Sequence, residues 1–220
     1  MLQDCELSKT SRVFWEIPRG LGLVANQSIP PRIHQLHELE LPPTADERIA
    51  ASPNEYVRIS KILLQLSPEV VLIDPFLNPL KRSYAAVLKA FFETVAKGKC
   101  QKISILARAS MVFGTRAIDI MKNDLYAAWQ SLSQQAALRP GCEVEMLLVE
   151  DEQKRDKMHG RYLLSIKGGI RFDQGFQQLP EGRFVDVGPV GKKVHSDLLD
   201  IYFDGKHDMS VVEKLAFKVV

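Results

Sequence analysis

Lys157-Met158-His159-Gly160-Arg161-Tyr162-Leu163-Leu164-Ser165-Ile166-Lys167-Gly168-Gly169-Ile170-Arg171-Phe172-Asp173-Gln174-Gly175-Phe176 is the stretch around which the fold is read. Tyr162 to Ser165 has the composition of a strand, and a Gly-Gly turn leads from it into a second strand, Ile170 to Phe172. His159 and Arg161 stand two apart before the first strand, so alternation places both side chains on one face. An imidazole beside a fixed cation is a phosphate-site chemistry. The arginine fork holds two phosphate oxygens while the imidazole attacks phosphorus or moves a proton. The plain alternative is a capped loop with a surface cation, and the pair alone does not choose between them.

Working outward towards the amino terminus, three apolar runs alternate with helix-spaced segments. Val70 to Ile73 is continuous and closes on Asp74-Pro75-Phe76, as a buried parallel strand does where it opens into a loop. Ile103 to Leu106 and Val144 to Val149 repeat the pattern. Tyr56, Ile59, Ile62, Leu63 and Leu66 predict a helix ended at Ser67-Pro68. Tyr84, Val87, Leu88, Phe91, Phe92 and Val95 predict another over Ser83–Lys97, and a long one is predicted from about Arg116 to Leu138. Strand–helix–strand–helix–strand with crossovers of that length predicts an α/β fold whose sheet is mixed and mostly parallel, flanked by helices. Ligands of such sheets gather beyond the carboxyl ends of the strands, where Asp74 and His159 would face one crevice.

Beyond Phe176, Phe184 to Val187 reads as a strand, Val194 to Phe203 as a helix with His195 near its start, and Ala216 to Val220 as a terminal strand. Residues 1–55 form a separate expectation: a strand pair, Val13–Ile17 with Leu21–Val24, then a proline-rich arm over 29–53 with a short helix around Ala45–Ala51. The arm should lie across a surface of its own core or of a neighbour. The α/β domain is then expected over 56–220.

A chain of 220 residues, 45% hydrophobic and 25% charged, supports one well-buried core. The net charge of +2 excludes a nucleic-acid footprint spread over the whole chain, so any phosphate binding has to be local. Cys5, Cys100 and Cys142 are too sparse for a disulfide framework and lack metal-ligand spacing, which together with the polar amino terminus points to the cytoplasm. No apolar run approaches the ~20 residues of a transmembrane segment.

The order of elements, closing on Lys157-Met158-His159-x-Arg161-Tyr162-Leu163-Leu164 and Gly168-Gly169-Ile170-x-Phe172-x-x-Gly175-Phe176, resembles a single phospholipase D-like half. Within that superfamily it is similar to the branch carrying His-x-Arg, found in the C-terminal domain of MIT-domain proteins and in related bacterial proteins. Asp74-Pro75-Phe76 resembles that branch's Asp-Pro-Tyr, and the resemblance spans about residues 56–205. It implies that His159 is the nucleophile and Arg161 the phosphate-neutralising cation. It further implies a site completed by Asp74 and Ser165, with no metal and no cofactor. The supporting acid of active relatives falls on Ile166, and Gly160 stands where the branch has aspartate. A single half also needs a second histidine, from the same residue of a homodimer partner or from His195.

The resemblance therefore implies first a phosphate-binding module with degenerate chemistry, a binding or assembly subunit of a larger cytosolic and plausibly bacterial complex. An active dimeric, metal-independent phosphodiesterase or nuclease is the alternative, and a module for phospholipid head groups is the third reading. Nucleic acid is a conceivable partner of the second. Four other features take plain readings. Asp74, Glu145 and Glu152-Gln153-Lys154 mimic a nuclease arrangement out of its strand context. Lys167-Gly168-Gly169 is a hairpin turn rather than a phosphate loop, His34 and His37 form a surface pair, and Cys142 is an inert small residue.

Overall fold

Pro53 opens helix α1 (Pro53–Leu66), where a proline costs nothing because the first N–H has no helical partner, and Ser52 Oγ accepts the Glu55 N–H at 3.5 Å. Strand β2 (Glu69–Ile73), helix α2 (Arg82–Ala96), strand β3 (Lys102–Arg108), helices α3 (Ala109–Phe113) and α4 (Ile118–Gln135), and strand β4 (Glu143–Glu150) follow. Then come β5 (Tyr162–Ser165), β6 (Gly168–Phe172), β7 (Phe184–Pro189), α5 (Lys192–Tyr202) and β8 (Ser210–Lys218). Before all of these stands β1 (Glu47–Ala50). The computed structural model describes residues 43–114, 116, 118–150, 158, 160–203 and 209–220, all within the unit Glu40–Val220. Val13–Ile17, Leu21–Val24, His34, His37, Glu152, Lys154 and His159 lie outside the described residues.

The strands form one eight-stranded mixed sheet in the order β1-β7-β6-β5-β2-β3-β4-β8, flanked by helices. The mixed α/β architecture is the one the sequence predicts; the predominance of parallel strands is not. Among the described residues only β2–β3 and β3–β4 run parallel, each across a helical crossover. The pairs β1–β7, β2–β5, β4–β8, β5–β6 and β6–β7 run antiparallel. The link of Ile166 and Lys167 is long enough only to reverse the chain, so β6 must run back along β5.

Other corrections concern boundaries. The helix expected around Ala45–Ala51 is strand β1, paired with β7 from Glu47↔Val187 to Ala50↔Phe184. Four residues carry little local preference, and burial of Ile49 to 2% exposure against β7 decides the state. The end of the expected arm is therefore a sheet edge, and the α/β unit begins before residue 56. The long helix expected from Arg116 is preceded by the separate α3. It also stops before Leu138, where Ala137 turns to φ 51° and the Leu138 N–H bonds the Ser133 carbonyl at 3.0 Å.

Helices α1, α2 and α4 cover one face of the sheet. Tyr56, Phe91, Phe92 and Trp129 are buried there against Leu72, Ile105, Met146, Leu163 and Phe172. Each fully buried large apolar side chain contributes ~1.5–3 kcal/mol, so this layer is the main source of stability. The other face is covered less completely, by α5, whose Leu198 and Tyr202 pack against the cluster of Val71, Ile73, Leu106 and Leu164. Among the described residues no helix is long and apolar enough to cross a membrane.

Candidate functional site

The end of β2 and the start of β5 meet because the two strands run antiparallel in the register Ile73↔Tyr162. The next residue outward on β2 is Asp74 and the preceding one on β5 is Arg161, so the sheet places carboxylate and guanidinium side by side at its rim. Arg161 Nε lies 3.7 Å from Asp74 Oδ1, an ion pair without a hydrogen bond along it.

Asp74 is buried completely. Its Oδ1 accepts the Phe76 N–H at 2.9 Å and its Oδ2 the Phe176 N–H at 3.1 Å. Burial pushes its carboxyl above the ordinary carboxylate range. The two backbone N–H groups and the charges of Arg161 and Lys81 act the other way without overcoming that shift. The Phe176 amide reaches Asp74 because Gly175 adopts φ +75°, which an L side chain rarely takes. A Cβ at Gly175 would also overlap Asp74 Oδ2 and come within 3.0 Å of Arg161 Cδ. Behind the turn, the buried Tyr56 hydroxyl sits 2.8 Å from the Gly175 carbonyl and 3.2 Å from that of Gln177.

Arg161 is held from three sides. Its Nη1 donates to the Asp173 carbonyl at 2.7 Å, its Cζ stands 5.4 Å from the centre of the Phe76 ring, and Asp74 lies behind it. In front opens a cleft of about 280 Å³ lined by Phe76, Lys81, Tyr84, Arg161, Gln174 and Gln177. Lys81 and Tyr84 come from the amino end of α2, where no side chain caps the helix, so its first N–H groups add positive potential near the cleft. Burial raises the Tyr84 hydroxyl well above its ordinary value, and the negative Asp74 adds to that, so Tyr84 remains a neutral donor. Two cations, a phenol and two carboxamides around one opening give it positive charge and hydrogen-bonding walls, the chemistry that suits an anion. Among the described residues no cluster of three histidine, cysteine or acidic side chains could hold a metal ion.

Asp74 and Arg161 thus come together, whereas two other residues expected at the site do not join them. Ser165 ends β5 beside Gly168, four residues and roughly 13 Å along the strand from Arg161. Its Oγ accepts the Lys167 N–H at 3.1 Å and donates to the Gly168 carbonyl at 3.3 Å, bracing the hairpin. His195 is buried at that same end with Nε2 2.8 Å from the Ser165 carbonyl. Strand direction separates the pair from the cleft, since β5 starts at the carboxyl end of β2 and finishes at its amino end.

Of the nuclease-like set, Glu145 stands apart from Asp74. Glu145 pairs in register with Ser104, on the sheet face opposite the main core, and its Oε2 is 3.0 Å from Lys214 Nζ. Cys142 is buried, and burial raises its thiol above the ordinary value, as suits an inert residue.

Sequence reasoning missed Lys81, Tyr84, Gln174 and Gln177. Lys81 had one usable signal, since the helix following a parallel strand begins at the crevice beyond that strand's carboxyl end. Tyr84 reads as one more apolar position of α2. The glutamines flank Gly175-Phe176, and only the turn made by Gly175 brings them to the cleft.

No protein-family profile matches this chain, and no curated protein does. Among solved structures, that of TrmBL2, an archaeal chromatin protein showing a novel mode of DNA binding, aligns with 76% of this chain and 54% of its own length. The TM-score is 0.37 and the identity 11%, a likeness too low to support any statement about fold or function.

Proposed function

We propose that this chain is a phospholipase D-like phosphate-binding module that has lost efficient chemistry and serves as a binding or assembly subunit of a larger complex. The observation that carries the reading is the cleft in which Arg161, fixed against buried Asp74 and the Phe76 ring, stands with Lys81. A guanidinium held in place before a ligand arrives loses little freedom on binding, and its planar fork matches two phosphate oxygens. Asp74 orients that cation from behind.

The remoteness of His195 and Ser165 favours binding over turnover. His195 is engaged with the Ser165 carbonyl and contributes no second imidazole to the cleft. Turnover would need His159 from two copies of the chain.

The test measures binding of inorganic phosphate and hydrolysis of a generic phosphodiester and of single- and double-stranded nucleic acid, with and without chelator. Arg161→Ala should weaken phosphate binding by ~1.5–3 kcal/mol, the worth of a hydrogen bond to a charged group, and Arg161→Lys by a smaller amount. His159→Ala should leave most of the affinity. Chelator-resistant cleavage that vanishes in His159→Ala would replace the module with a dimeric phosphodiesterase.

A further inference from the structure

The cleft has a second property that a bare phosphate would not use. Three large apolar side chains are exposed on the segments that adjoin it: Phe76 at 37%, Leu80 at 39% and Met111 at 41%. Phe76 lines the cleft, and Leu80 directly precedes Lys81, which also lines it. Met111 stands on α3, whose start is tied to the loop after β2, so the three together are read as an apolar rim. Asn78 Nδ2 donates to the Val112 carbonyl at 3.3 Å, and the Arg108 N–H to the Pro75 carbonyl at 3.1 Å. Isolated exposed apolar residues need no explanation, but a group of them beside a cationic cleft marks a contact surface.

The opposite wall is polar and differently equipped. Gln174 carries a carboxamide with both donors and an acceptor. Gln177 Nε2 braces the Gln174 carbonyl at 3.1 Å, which leaves its Oε1 able to accept. One N–H and one C=O per residue is the demand of a peptide backbone, and a carboxamide answers both.

We propose that the anion taken by this cleft is carried on a peptide: a phosphorylated residue flanked by apolar side chains. The inference rests on reading the cleft as a phosphate site. The phosphate sits before Arg161 and Lys81, the neighbouring apolar residues cover Phe76, Leu80 and Met111, and the backbone between them bonds Gln174 and Gln177. Charge complementarity fixes the anionic residue, and the apolar rim fixes its neighbours. A nucleic acid strand would leave the rim uncovered, and its repeated charges would meet, among the described residues lining the cleft, only the cations Arg161 and Lys81. A lipid surface would use the rim but leave the carboxamide wall without backbone to bond.

The experiment titrates the full chain with inorganic phosphate and with a fluorescein-labelled peptide holding one phosphoserine between leucines. The unphosphorylated peptide, a version with serines in place of the leucines, and phosphatidylcholine vesicles containing phosphatidylserine complete the set. The leucine-flanked phosphopeptide should bind about tenfold or more tighter than inorganic phosphate, a difference of ~1.4 kcal/mol. Leu80→Gln combined with Met111→Gln, both at exposed positions, should remove that gain and leave phosphate affinity unchanged. Arg161→Ala should weaken both ligands. A phosphopeptide that binds no tighter than phosphate, is matched by its unphosphorylated or serine-flanked version, or ignores the rim substitutions overturns the peptide inference and leaves the phosphate cleft standing. Vesicle binding that the rim substitutions abolish, with no preference for the peptide, overturns it in favour of a membrane surface. Failure of both phosphate and peptide to bind overturns the cleft reading as well.

Discussion

Replacing Gly175 with alanine strikes the turn that assembles the cleft, and the structure sets the size of the effect. The residue sits at φ +75°, where an L side chain costs ~1–2 kcal/mol. The new Cβ would also overlap Asp74 Oδ2, an atom on a fully buried carboxylate that accepts the Phe176 N–H at 3.1 Å. Moving that oxygen loses a hydrogen bond to a charged group, worth ~1.5–3 kcal/mol, and no solvent is present to replace it. The two contributions together predict a loss of ~2.5–5 kcal/mol in urea unfolding, read from the midpoint at constant slope. Gly182→Ala is the matched control, because Gly182 has φ +80° and nothing within 4 Å of an added Cβ. It should lose only the backbone part, ~1–2 kcal/mol. If Gly175→Ala costs no more than Gly182→Ala, the packing of Gly175 onto the Asp74 carboxylate is not what fixes the turn, and the assembly argument fails.

Three further outcomes follow from the same geometry. Tyr56→Phe should destabilise by ~1–3 kcal/mol, because the buried Gly175 carbonyl loses the hydroxyl proton it shares with the part-buried Gln177 carbonyl; an unchanged thermal midpoint would contradict this. Asp74 binds its proton more tightly in the folded state than its ordinary value of 3.8, so its contribution is fully present below about that pH and is lost as pH rises through the elevated folded value. The stability of the wild type relative to Asp74→Asn should therefore fall as pH rises above about 3.8 in urea titrations. A gap that widens over that range would mean that Arg161 holds the carboxylate below its ordinary value instead. His195→Ala should lower stability by loosening α5 from the β5–β6 hairpin yet leave phosphate affinity unchanged, and a loss of affinity would return His195 to the site.

The sequence made the continuous apolar runs of β2, β3 and β4 and the hairpin of β5 and β6 legible because burial dictates their composition directly. Strand β1 was not legible: Glu47-Arg48-Ile49-Ala50 becomes a strand only through its pairing with β7, and that partner lies over 130 residues away. The direction of pairing was equally hidden, since a period of two is the same in parallel and antiparallel strands. The site divides along the same line. Asp74 and Arg161 mark strand ends and could be read from the loops they open. Ser165 and His195 have the right chemistry, but a strand's rise puts Ser165 at the other end of β5 from Arg161, and His195 is held at that end by the Ser165 carbonyl. Lys81 and Tyr84 stand in one stretch of sequence and Gln174 and Gln177 in a distant one; the α2 crossover and the left-handed turn at Gly175 bring the two pairs to one opening.

The most direct test of the proposed phosphate cleft is to titrate isotopically labelled protein with inorganic phosphate and follow every backbone amide by NMR. The shifts should concentrate on Phe76, Lys81, Tyr84, Gln174, Gln177 and the amide of Phe176, saturate together, and disappear in Arg161→Ala. Amides that do not move, or that move around His195 and Ser165 at the far end of β5, would show that the anion site is not where Asp74 and Arg161 meet.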